Sequence, residues 1–214
     1  MRNRFDEQLY ELNKKIIEMG AMCEDAISKV ATSISKGDVE LAKNVMHDGS
    51  MIDQMEREIE SRCMKLLLHQ QPVARDLRLI SAALKIITDM ERIGDQAEDI
   101  AEIVVCLQGQ TMDCMKLVDE MAYETTKMVQ RSVDAYVKKD VKLAEEVLAQ
   151  DDIVDDYFSK IKHDIISMIA EKSADGELAL DFLMITKYFE RIGDHATNIA
   201  EWVIYSVTGT HKEG

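Results

Sequence analysis

The sequence predicts an all-α fold: six long helices forming two pseudo-symmetric three-helix bundles in one elongated body. Three observations lead there. The chain of 214 residues holds one Pro and nine Gly and is dominated by Ala, Leu, Ile, Met, Glu, Lys and Asp, a composition of long helices and few turns. Apolar residues recur at helical spacing along most of its length. The segment ERIGDQAEDIAE at 91–102 returns as ERIGDHATNIAE at 190–201, identical at nine of twelve positions. That recurrence marks an internal duplication.

Taken in order, residues 4–35 read as one amphipathic helix, with Leu9, Leu12, Ile16, Met19, Ile27, Val30 and Ile34 on one face. Gly37 ends it and Asp38 is placed to cap the next. The second helix covers about 39–69, with Val45, Ile52, Met55, Ile59, Cys63, Leu66 and Leu67 inward and Asp53, Glu56 and Glu60 along the edge. Gly49-Ser50 is a point of local loosening. Pro72 suits the first turn of a third helix, where no backbone N–H is needed. That helix runs through Leu77, Ile80, Leu84 and Ile87 into the 91–102 segment, and Gly109 ends it.

The second half repeats the plan. Lys139 to Ala144 answers Gly37 to Ala42 at an offset of 102, and the repeated segment returns at an offset of 99. Three residues are lost near Lys172 to Gly176. Helices are therefore expected at about 112–138, 140–172 and 176–208, with a loose tail from Gly209. Residues 1–110 form the first repeat and 111–214 the second.

The repeated segment carries the chemistry. At about 100° per residue, Glu91, Asp95, Glu98 and Glu102 fall in one stripe, with Asp99 at its edge. Ile93, Ala97, Ile100 and Val104 lie opposite. Glu190, Asp194 and Glu201 repeat the stripe, and Asn198 stands in the place of Asp99. These acids point away from their own core. A solvated helix face is the simplest account of such a stripe. Two features argue for more. No Lys or Arg occurs from Ile93 to Met115 or from Ile192 to His211, so like charges stand without local cations. Hard oxygen ligands without counter-charge suit a bound metal ion. Gly94 and Gly193 are also kept mid-helix, where Gly costs about 1 kcal/mol relative to Ala. Either tight helix packing or approach by a ligand accounts for them.

Further acids are placed to join. Asp155 aligns with Asp53 at the offset of 102, and Asp151/Asp155 repeat the four-residue spacing of Glu91/Asp95 and Glu190/Asp194. Gly49 stands where Asp151 would be in the first half, beside Asp48. If the second and third helices of each unit are neighbours, acid pairs face each other across a groove, one polynuclear site per half.

Composition narrows the function. The net charge of −15 argues against direct nucleic-acid binding and disfavours anionic membrane surfaces. Cations and basic protein surfaces are the expected partners. Cys23, Cys63, Cys106 and Cys114 show no CxxC spacing and are expected to be reduced and in or near the core, as in a cytoplasmic protein. No signal-type apolar segment or uninterrupted apolar run of about 18 residues occurs.

QQPVARDLRLISAALKI with DMERIGDQAEDIAE, followed by YFERIGDHATNIAEWVIYSVTG, resembles the PhoU family of phosphate-signalling regulators over nearly the whole chain. The resemblance implies two three-helix bundles with pseudo-two-fold symmetry and, in some members, dimers. It implies iron or zinc clusters on the bundle surface. Carried over by position, the metal ligands are Glu91 and Asp95, Glu190 and Asp194, with Asp151 and Asp155 on a facing helix. Asp53, Asp99, Asn198, Glu102 and Glu201 follow less directly. The implied role is a non-catalytic regulator of phosphate uptake and of the phosphate-starvation response. It would link the ATPase of the phosphate ABC transporter to a phosphate-sensing histidine kinase.

Two other classes compete. A ferritin-like metalloenzyme needs inward Glu and Glu-x-x-His on two helices, and no Glu-x-x-His occurs here. His195, replaced by Gln96 in the other half, is expected at a surface or edge. Direct phosphate binding would use Arg75 and Arg78 at a helix start, although pairing with Asp76 or nearby acids accounts for both arginines. No nucleophile constellation or phosphate-binding glycine loop is present.

Overall fold

The structure is a computed structural model that describes residues 2–70, 73–112, 114–173 and 175–210, without the side chains of 2–4, 69 and 70. Among the described residues six helices account for nearly everything. They are α1 (Arg2–Lys36), α2 (Val39–Gln70), α3 (Ala74–Leu107), α4 (Met115–Lys138), α5 (Val141–Ala170) and α6 (Gly176–Thr208). The expected Pro72 start of α3 and the 211–214 part of the tail lie outside the described residues, as does Ala174.

The boundaries follow local chemistry. Asp38 Oδ1 accepts from Leu41 N at 3.0 Å at the start of α2, and Asp140 does the same for Leu143 N at 3.1 Å. Asp175 caps α6 through Glu177 N and Leu178 N. Helix ends use left-handed residues: Gly37, Gln108, Lys139 and Gly209. Gly37 has a second reason to be glycine. A Cβ there would meet Gly109 Cα at 2.9 Å, so the α1–α2 turn rests directly on the chain leaving α3. Gly49-Ser50 does not interrupt α2, which is continuous over 32 residues.

Helices α1, α2 and α3 pack on one another, and so do α4, α5 and α6. The two triplets join through α3 against α6 and α1 against α4, around one continuous aliphatic core. Most expected core positions are buried, among them Leu12, Ile16, Ile52, Ile59, Ile80 and Ile87. Leu77 is not; it is 47% exposed, because the buried stripe at this end of α3 passes through Leu79, Ile80 and Ala83. Cys23, Cys63 and Cys114 are buried, whereas Cys106 is exposed on the outer side of the last turn of α3. Among the described residues no helix is long and apolar enough to cross a membrane.

The seam between the triplets has a polar centre. Asp89 Oδ1 on α3 lies 3.0 Å from His195 Nδ1 on α6 and accepts from Asn198 Nδ2 at 3.1 Å. Across α1 and α4, Tyr136 donates to Asn13 Oδ1 at 2.8 Å.

Candidate functional site

The packing of α2 on α3 and of α5 on α6 puts acids from neighbouring helices together in each half. Ile93, Ala97, Ile100 and Val104 are buried, and so are Ile192, Ala196, Ile199 and Val203. The acid stripes therefore face outward, which removes the inward ligand shell that a ferritin-like centre requires.

In the first half, Asp53 of α2 meets Glu91 and Asp95 of α3. One carboxylate oxygen from each lies within 4.8 Å of the others, and all three side chains are half-buried. Burial pushes the Glu91 carboxyl up from its ordinary value, and repulsion from Asp95, Asp53 and Glu56 adds to it. Glu98 is raised in the same way, by burial first and then by Glu102, Asp95 and Asp53.

In the second half, Asp151 and Asp155 of α5 face Glu190 and Asp194 of α6. Burial, with repulsion from Asp155 and Asp194, pushes Asp151 up to about 6. Partial burial and Glu190 raise both Asp194 and Asp155. Among the described residues no trio here converges as closely as Asp53, Glu91 and Asp95 do. The two clusters are thus related in plan and unequal in detail.

Of the glycines of the repeated segment, Gly94 is the one that close packing requires. A Cβ on Gly94 would lie 3.0 Å from Ile52 Cδ1, so α2 and α3 approach closely beside the trio. A Cβ on Gly193 would lie 3.5 Å from Asp151 Oδ1 and Val154 Cγ1. At Gly49 it would meet Glu98 Oε2 at 2.6 Å, which leaves room for that carboxylate to reach across α2.

One expectation needs correction. The stripes do have local cations. Arg92 lies 3.1 Å from Asp95 and 3.4 Å from Glu91, Arg57 lies 4.0 Å from Asp53, and Lys187 pairs with Glu190. Arg92 and Lys187 stand before the cation-free windows, and a helix turn brings them back over the acids. Asp99 and Asn198 lie where each stripe meets the other half. At the α3–α6 seam, Asp99 feels Glu102 and Asp95 of its own helix as well as Arg191 of α6, and Asn198 bonds to Asp89 of α3. Their place at the edge of the stripe turns them toward the other half. His195 is likewise half-buried in that seam. Arg92 and Lys187 are the neighbours that the acid spacing did not single out.

The family model described as the PhoU domain matches twice, over residues 16–104 and 118–203. A phosphate-specific transport system accessory protein PhoU homolog of Clostridium acetobutylicum is 37% identical over 210 residues, covering 97% of this chain and 96% of that protein. One of Pseudomonas aeruginosa is 34% identical, covering 97% and 86%. The crystal structure of PhoU from Pseudomonas aeruginosa superposes with a TM-score of 0.92 at 33% identity, over 96% of this chain and 100% of that one. The phosphate transport system regulatory protein PhoU from Streptococcus pneumoniae gives 0.91 at 25% identity, over 98% and 100%. With both halves matched and near full-length relatives above 30% identity, this chain belongs to the PhoU family.

Proposed function

We propose that this protein is a regulator of phosphate uptake and of the phosphate-starvation response. It acts without catalysis, as a cytoplasmic adaptor between the ATPase of the phosphate ABC transporter and a phosphate-sensing histidine kinase. The observation that carries this is the match of both halves to the PhoU domain, together with relatives named as accessory proteins of the phosphate-specific transport system. The outward acid stripes and the net charge of −15 support docking to basic protein surfaces. A homodimer is the proposed assembly.

The carboxylate clusters are proposed to hold metal. The donor set fits: three half-buried carboxylates from two helices converge in the first half, with raised carboxyls around them that a cation would relieve. The proposed occupant is iron or zinc, held by carboxylate oxygens that either ion accepts. Bound metal would pin α2 to α3 and α5 to α6 from outside.

Co-purification from cells grown in high phosphate tests the adaptor role. The transporter ATPase and the kinase should both be retained by the tagged protein. Retention of neither would refute it.

A further inference from the structure

The second carboxylate cluster contains a cation of its own. Lys187 lies one turn before Glu190 on α6, and its ammonium donates to the Glu190 carboxylate, whose side chain is only 14% exposed. The same ammonium sits 5.5 Å from the centroid of Phe158 on α5, within cation–π range. It also offsets the charge on Asp155 and Asp194. One lysine thus bonds Glu190, lies near enough to Asp155 and Asp194 to lower both carboxyls, and rests on an aromatic ring.

The first half is built differently. The residue answering to Lys187 at the offset of 99 is Thr88, whose hydroxyl donates to the Leu84 carbonyl at 3.1 Å. Its cations are Arg92 beside Glu91 and Asp95, 56% exposed against 43% for Lys187, and Arg57 at 4.0 Å from Asp53, and neither guanidinium is seated on an aromatic ring among the described contacts. The Asp53, Glu91 and Asp95 oxygens still converge within 4.8 Å.

We propose that Lys187 is a tethered cation that competes with metal for the second cluster, so that the halves load in sequence. This deepens the metal reading above and rests on it. The first cluster fills at low metal. The second fills only where an incoming divalent ion displaces Lys187 from Glu190, and its occupancy therefore reports a higher metal level. Phe158 keeps the displaced lysine stem close, so the exchange reverses when metal falls.

Equilibrium dialysis against Fe2+ under anaerobic conditions tests this. Asp53→Asn with Asp95→Asn disables the first cluster, and Lys187→Met is added to that background. Methionine keeps the contact with Phe158 and removes the charge. The expected result is Fe2+ affinity about three- to tenfold higher than in the parent double variant. Lys187→Arg should leave it near the parent, and in a chain with Asp151→Asn and Asp194→Asn, Lys187→Met should change nothing. Unfolding of the metal-free protein gives a second readout: Lys187→Met lowers Tm, and added Fe2+ restores it. Unchanged affinity on Lys187→Met, with Fe2+ still bound to the second cluster in that background, overturns the proposal alone. No Fe2+ bound by any variant overturns the metal reading with it.

Discussion

Exchanging Gly94 and Gly193 for alanine, one at a time, should shift stability in opposite directions although the two positions are equivalent in the repeat. The backbone gain is common to both: Gly→Ala inside a helix contributes about 1 kcal/mol. The surroundings differ. At Gly193 the new methyl would sit 3.5 Å from Asp151 Oδ1 and Val154 Cγ1 and 3.8 Å from Met128 Cε, all ordinary contacts. Most of the gain should survive, about 0.5–1 kcal/mol, which for a chain of this size raises Tm by roughly 1–4 °C. At Gly94 the methyl would lie 3.0 Å from Ile52 Cδ1, 3.1 Å from Cγ2 and 3.4 Å from Cβ. Ile52 is fully buried and has nowhere to retreat. Overpacking of this kind costs about 1–3 kcal/mol, so the net result is a loss of up to about 2 kcal/mol. Moving α2 outward also carries Asp53 away from Glu91 and Asp95, so metal affinity should fall in Gly94→Ala and not in Gly193→Ala. Urea unfolding of the two variants with the parent, at matched m-values, gives the comparison. Gly94→Ala proving as stable as Gly193→Ala would refute the packing argument.

Asp95→Ala combined with Asp194→Ala should strip bound iron or zinc, read by elemental analysis of protein purified without chelator, while far-ultraviolet circular dichroism stays that of the parent. Lost helicity would show that the stripes are structural. In chelated protein, Asp151→Asn should stabilise at pH 7 by about 1–2 kcal/mol, allowing for solvent screening. The sign follows from linkage: the Asp151 carboxyl is raised to about 6 in the fold, so its favourable protonated state is fully present below about pH 4. That contribution is lost as pH rises through 6, and the variant should flatten stability over that window. His195→Ala removes the contact with Asp89 across the seam and should cost about 1 kcal/mol. If instead the seam is indifferent to it, unfolding midpoints of parent and variant will coincide.

Much of the architecture is visible in the sequence because the helices are long and the signals redundant. Gly37-Asp38 and its counterpart Lys139-Asp140 mark both turns by the same cap chemistry, and aliphatic spacing marks the faces. The placement of Asp53 beside Glu91 and Asp95 was legible from spacing once α2 and α3 were taken as neighbours. What spacing could not carry is the direction of long side chains. Arg92 and Lys187 fold back over acids that look cation-free when only the residues after them are counted. Asp99 and Asn198 sit about 40° around the helix from the edge of the stripe, far enough to reach α6 and α3 as well. The inequality of the two clusters is also hidden in the repeat, because it depends on Thr88 against Lys187, three residues before the repeated segment begins.

The central claim is regulatory, and expression of a phosphate-starvation promoter in cells lacking this protein tests it most directly. In high phosphate the promoter should be derepressed without the protein and silenced again when the intact chain is supplied. A promoter that stays repressed in high phosphate without the protein would contradict the claim.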